Sequence, residues 1–74
     1  MTHSEAIRTI MAKKGIRTGQ AASRLGMPTN KFVGRIDHDN ISVTKLNEVL
    51  RIMDYKLVVV PSDTRLKEGE YEIE

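Results

Sequence analysis

The sequence predicts a mainly α-helical fold, a bundle of four short helices followed by a C-terminal β-strand or hairpin. Three observations carry that prediction. Apolar residues recur at helical spacing in four successive segments. Capping residues, glycine or proline bound those segments. After Tyr55 the pattern switches to a β-branched run that a proline ends.

The first helix is expected over Ser4–Lys14. Ile7, Ile10 and Met11 fall at i, i+3 and i+4 and so share one face. Ser4 or Thr2 caps its start, and Gly15 sits where a left-handed C-terminal cap belongs. The second helix is expected over Thr18–Leu25, with Thr18 as N-cap. Ala21, Ala22 and Leu25 give it a small-residue face that lets another helix approach closely. Gly26 ends it, and Pro28 forces Met27 out of the helical region. The third helix is expected over Asn30–Ile36 with Thr29 as cap. Phe32, Val33 and Ile36 point inward, and Asn30, Lys31, Gly34 and Arg35 point outward. Gly34 costs that helix roughly 1 kcal/mol relative to alanine. A polar loop, Asp37–Asn40, leads to Ser42, a good cap. The fourth helix then runs to about Asp54, with Val43, Leu46, Val49, Leu50 and Met53 as its apolar stripe. Leu57–Val60, within a segment 56–60, reads as a strand. Tyr71 and Ile73 alternate with glutamates, which reads as a second strand over 70–74 after a turn at Gly69.

The 74 residues make room for one domain. Residues 1–60 carry the four helices and the first strand, and residues 61–74 form an acidic tail. The formal net charge is +2. It divides unevenly: ten Lys/Arg against five acids before residue 61, and two against five after it, so the body is +5 and the tail −3. A basic body suggests polyanionic partners, although a solvated mixed-charge surface gives the same count. No cysteine is present, which removes disulfides, thiolate metal sites and thiol nucleophiles and suits a reducing cytoplasm. No secretory leader is visible in Met1–Lys14. The longest apolar run, Leu57–Val60, is far too short to cross a bilayer.

The informative unit is Thr18–Ile36: a short helix, a glycine-containing turn, and a second short helix with a basic, hydrogen-bonding outer face. An α-helix fits the DNA major groove, and side chains at its N-terminal end reach base edges. Asparagine pairs with adenine, and lysine or arginine with guanine. Free N–H groups at a helix start hold phosphate.

The stretch Gln20–Asp37, with Leu25-Gly26 and Ile36-Asp37, followed by Ile41–Tyr55 with Ser42-Val43, resembles the Cro-like phage repressor (XRE) family over roughly residues 5–60. The resemblance implies a four-helix, helix-turn-helix bundle of lambda-repressor-like type. It implies a dimeric, sequence-specific regulator of transcription that binds double-stranded DNA. Thr29, Asn30, Lys31 and Arg35 would then enter or flank the major groove. Gly34 would lie where backbone approaches DNA or where a side chain would clash. Thr18 and Gln20 would touch phosphate from the second helix, and Lys45 from the fourth. Between Gly26 and Ile36 the chain is one residue longer than the family's usual spacing, with Pro28 in the turn. The register of the third helix is therefore open by one position.

Other chemistry finds little support. The sequence has no glycine-rich phosphate loop, no paired inward carboxylates and no nucleophile–base arrangement, so no enzyme and no cofactor is expected. The neighbouring Asp37, His38 and Asp39 point apart and have no second histidine or cysteine cluster nearby, so no metal site is expected. Leu57, Val58, Val59 and Val60 are expected either to pair with the tail or to join two copies of the chain, since an unpaired apolar edge needs cover. Two-fold symmetry favours the homodimer. The rival expectation is a protein-interaction module, antitoxin-like or a phage accessory protein, that docks a partner through the strand and tail.

Overall fold

The Thr2 hydroxyl accepts the Glu5 N–H at 3.1 Å, and the Glu5 carboxylate accepts the Thr2 N–H at 2.9 Å. This reciprocal pair satisfies two of the free donors at a helix start and launches α1, His3–Lys14. Gly15 ends it at φ 65°, the left-handed conformation that only glycine adopts without strain. The computed structural model describes residues 1–74. Three further helices follow: α2, Thr18–Arg24; α3, Thr29–Ile36; and α4, Val43–Arg51. Ser42 caps α4 by accepting the Lys45 N–H at 3.1 Å.

Two caps differ from expectation. Arg17, not Thr18, is the N-cap of α2, and its N–H is held by Gln20 Oε1 at 2.8 Å. Pro28, not Thr29, precedes α3. Its fixed φ and lack of an N–H suit a helix entrance, so both threonines become the first residues of their helices.

Helix α2 packs chiefly on α3, while α1 reaches both α3 and α4. One apolar core of 11 residues joins all four helices: Ile7, Ile10 and Met11; Ala21 and Ala22; Phe32 and Ile36; Leu46, Val49, Leu50 and, just past α4, Met53. Every one except Met53 lies within a helix on the face that the helical spacing marks. Val43, expected in the α4 stripe, is instead 70% exposed. It is the first residue of α4, beyond the reach of the other helices.

The chain contains four helices and no β-strand, which corrects the expected C-terminal strand or hairpin. A strand requires a ladder, and residues 56–60 find none: no backbone–backbone hydrogen bond joins them to residues 70–74. The Leu57 N–H instead donates to Asn47 Oδ1 of α4 at 3.3 Å. Tyr71 and Ile73 are half-buried against the helical core, with the intervening glutamates exposed. The period-two alternation is real, but it lays a single segment over helices. The end of that segment bonds to the start of the chain: Glu74 N–H to the Met1 carbonyl at 2.9 Å, and the Met1 ammonium to the Glu72 carbonyl at 3.3 Å.

The tail is anchored from Gly69 onward, while residues 61–68 are exposed. The Tyr55 hydroxyl donates to the Gly69 carbonyl at 2.7 Å. The Tyr55 and Tyr71 rings lie 6.4 Å apart, tilted by 33°. The Lys13 and Lys14 ammonium groups stand 5.7 Å and 5.5 Å from the ring centroids of Tyr71 and Tyr55, distances at which a cation is attracted to a ring face. The Tyr71 hydroxyl is buried with no partner at hydrogen-bonding geometry. Its closeness nevertheless raises the pKa of Lys13 above the ordinary lysine value, first by polar contact with that hydroxyl and then by charge.

Candidate nucleic-acid interface

Helix α3 presents the face that carries the sequence-predicted residues. Phe32 and Ile36 are wholly buried, and they fix the rotation of the helix. Asn30, Lys31 and Gly34 are consequently exposed. No hydrogen bond or ion pair in the chain engages the side chain of Asn30 or Lys31. The two side chains are free to meet an outside partner.

Gly34 lies mid-helix on this face with an ordinary negative φ. A methyl group added to it would meet nothing within 4 Å. Neither backbone conformation nor internal crowding requires a glycine here, although its helix propensity is about 1 kcal/mol worse than that of alanine.

Arg35 is placed differently from the expectation that it faces outward with Lys31. Its Nη1 donates to Glu48 Oε2 of α4 at 3.3 Å, and its side chain is only 23% exposed. Position 35 follows Gly34 by 100° of helical rotation, which turns Arg35 toward α4. Thr29 opens α3, and its hydroxyl would lie 3.8 Å from a methyl group built on Gly19. The first turns of α2 and α3 are therefore neighbours, and they bring Thr18, Gln20, Thr29 and Asn30 to one end of the pair. Thr18 is half-buried. The Gln20 carbonyl is occupied by the Arg17 N–H, so its NH₂ is the end left for a partner.

Lys45 is exposed near the start of α4 and has no ion pair. It lines a cleft of about 170 Å³ with Arg35, His38, Asn40, Ile41 and Ser42. His38 Nδ1 accepts the Asn40 N–H at 3.0 Å. The sequence pattern does not mark His38, Asn40 or Ser42 as site residues. The loop-plus-cap pattern before α4 was the available signal, but it reads first as structure.

Of Leu57–Val60, only three residues are free. Leu57 packs against the core, while Val58, Val59 and Val60 are 61%, 100% and 46% exposed.

Other charges are spent on the fold. Arg8 Nη2 donates to both Asp37 carboxylate oxygens at 2.9 and 3.0 Å, and the Ser4 hydroxyl donates to Asp37 at 2.7 Å. These bonds hold the Asp37 carboxyl below its ordinary pKa, Arg8 contributing most, and they tie α1 to the end of α3. Arg24 donates to the Ile52 carbonyl at 3.0 Å and closes the end of α4. Lys14 pairs with Asp54 at 3.8 Å.

No family model, curated protein or solved structure matches the chain. No helix is long and apolar enough to cross a membrane.

Proposed function

We propose that the protein is a sequence-specific DNA-binding regulator of transcription, a non-enzymatic repressor of phage or mobile-element type, that reads the major groove with α3. The observation that carries this is the outer face of α3. Two unpartnered side chains with base-pairing chemistry, Asn30 and Lys31, stand beside a glycine that nothing inside the chain requires. A bare backbone position beside free donors suits a surface that another molecule approaches closely. Lys45, and Thr18 and Gln20 at the start of α2, supply the flanking polar groups that position a reader on phosphate.

The protein acts as a homodimer in this reading. Val58–Val60 form the largest run of exposed apolar side chains, and contact between two copies would cover them. Two subunits would then address half-sites one helical turn apart, roughly 34 Å. The rival reading, partner docking through the strand segment and tail, is less favoured because Tyr71 and Ile73 pack against the protein's own core, although Val58–Val60 stay exposed.

The test is selection of bound sequences from a random duplex library at two salt concentrations. A recovered palindrome, with affinity falling as salt rises, is the expected result. Recovery of nothing above background would overturn the proposal.

A further inference from the structure

The cleft between α3 and α4 is lined almost wholly by polar side chains. Five of its six lining residues are polar, and three of them, Arg35, His38 and Lys45, are basic side chains. No acidic residue lines it. Asp37, next in sequence, is turned away and held by Arg8 and Ser4. Glu48 is on the other side of Arg35, engaged with Nη1.

The donors in the cleft are available. Arg35 uses only Nη1 for Glu48, so Nε and Nη2 have no partner in the chain. Because Glu48 and packing hold the guanidinium, its ordering cost is met before any ligand arrives. Lys45 has no ion pair. His38 Nδ1 accepts the Asn40 N–H, which assigns the proton of a neutral ring to Nε2 and makes that nitrogen a donor.

We propose that this cleft holds one phosphate group, with Arg35 as its fixed ligand, Lys45 as its mobile cation, and Glu48 as the residue that positions Arg35. Arg35 then contributes to affinity for phosphate and not to the reading of bases, which falls to the N-terminal half of α3. The assignment of the group to a DNA backbone rests on the function proposed above. A free phosphate offers the same chemistry, and the experiment separates the two.

The experiment is a heteronuclear NMR titration of the full chain at constant ionic strength. The probes are inorganic phosphate, acetate as a carboxylate control, and a short duplex of arbitrary sequence. Phosphate is expected to shift the Asn40–Lys45 amides saturably, acetate is not, and the duplex is expected to shift the same amides. Lys45→Ala and Arg35→Gln should each weaken phosphate binding about tenfold, in line with the loss of a charged hydrogen bond. If Arg35→Gln fails to fold, the exposed Lys45 variant carries the test.

Phosphate shifts no larger than those of acetate, or unchanged affinity in the Lys45 variant, would overturn the proposal. A duplex that shifts Asn30–Gly34 and leaves the cleft unmoved would also overturn it, while leaving DNA binding by α3 intact. Phosphate binding without any response to duplex would support the site as a receptor for free phosphate and sink the DNA reading instead.

Discussion

Gly34→Ala should stabilise the fold and impair its function. The position is mid-helix, its φ is negative, and an added methyl group meets nothing within 4 Å. The change therefore gains helix propensity and loses unfolded-state entropy without creating strain, about 1 kcal/mol in all. For a domain of this size that is a rise of about 4–8 °C in Tm. Against DNA the sign reverses. If backbone at residue 34 approaches the duplex closely, the methyl group overpacks the contact. Overpacking costs about 1–3 kcal/mol, equivalent to about fivefold to more than a hundredfold in Kd. Circular-dichroism melting measures the first effect, and fluorescence anisotropy on a selected duplex measures the second. A lower Tm would mean that the glycine serves the fold in a way the geometry hides. A higher Tm with unchanged affinity would mean that no partner approaches residue 34, and the argument for α3 as reader would lose its main support.

Four other outcomes follow from the structure. Phe32→Ala, at a fully buried position, should cost about 3–5 kcal/mol; against the roughly 4–11 kcal/mol expected for a domain of this length, denaturant titration should show a largely or wholly unfolded chain. Truncation after Pro61 removes Tyr71, Ile73 and the Tyr55–Gly69 bond from the core, so Tm should fall by several degrees, and an unchanged Tm would show the tail to be ornamental. Asp37 and Glu5 both have lowered folded-state pKa values, Asp37 through Arg8 and Ser4 and Glu5 through the Thr2 backbone; their stabilisation is complete above the unfolded values of 3.8 and 4.5 and is lost as pH falls through the lower folded values, so Tm should hold from about pH 7 to 5 and drop below about 4, with a smaller drop in Asp37→Asn. Lys31→Ala and Lys45→Ala should differ in kind: the first alters sequence preference, whereas the second weakens all duplexes alike and lowers the salt slope by about 0.9 per subunit, read from affinity against salt.

The helices and the core were legible because helical periodicity reports burial directly. Ile7, Ile10 and Met11, or Leu46, Val49 and Leu50, have nowhere else to go once the backbone is helical. Capping was legible where the chemistry is unambiguous, at Gly15 and Ser42. It misled at Thr18 and Thr29, because a threonine beside a helix start suits both the cap and the first turn, and only the Arg17–Gln20 bond and Pro28 decide between them. The C-terminal strands were not legible, because β-propensity describes a side chain's preference and says nothing of a ladder partner. Leu57 and the Tyr71/Ile73 pair satisfied their burial on helices, and no partner strand remained for Val58–Val60.

The site depends on a similar distinction among charges. The sequence supplies ten Lys/Arg in residues 1–60 and cannot say which are free. The fold commits Arg8 to Asp37, Arg24 to the Ile52 carbonyl, Lys14 to Asp54, and Lys13 to the face of Tyr71. All of these bind the helices or the tail to one another. Lys31 on α3 and Lys45 on α4 are left without such duties, as are Arg17, Arg51 and Lys56 elsewhere on the surface. Arg35 lies between Lys31 and Lys45, half committed to Glu48 and still open toward the cleft. An electrostatic contact made there gains from charges that the fold has not already neutralised. The tail's carboxylates leave these groups unneutralised: Glu68 acts on Lys13 of α1, Glu74 pairs with the N-terminus, and no ion pair links the tail's glutamates to Lys31, Arg35 or Lys45.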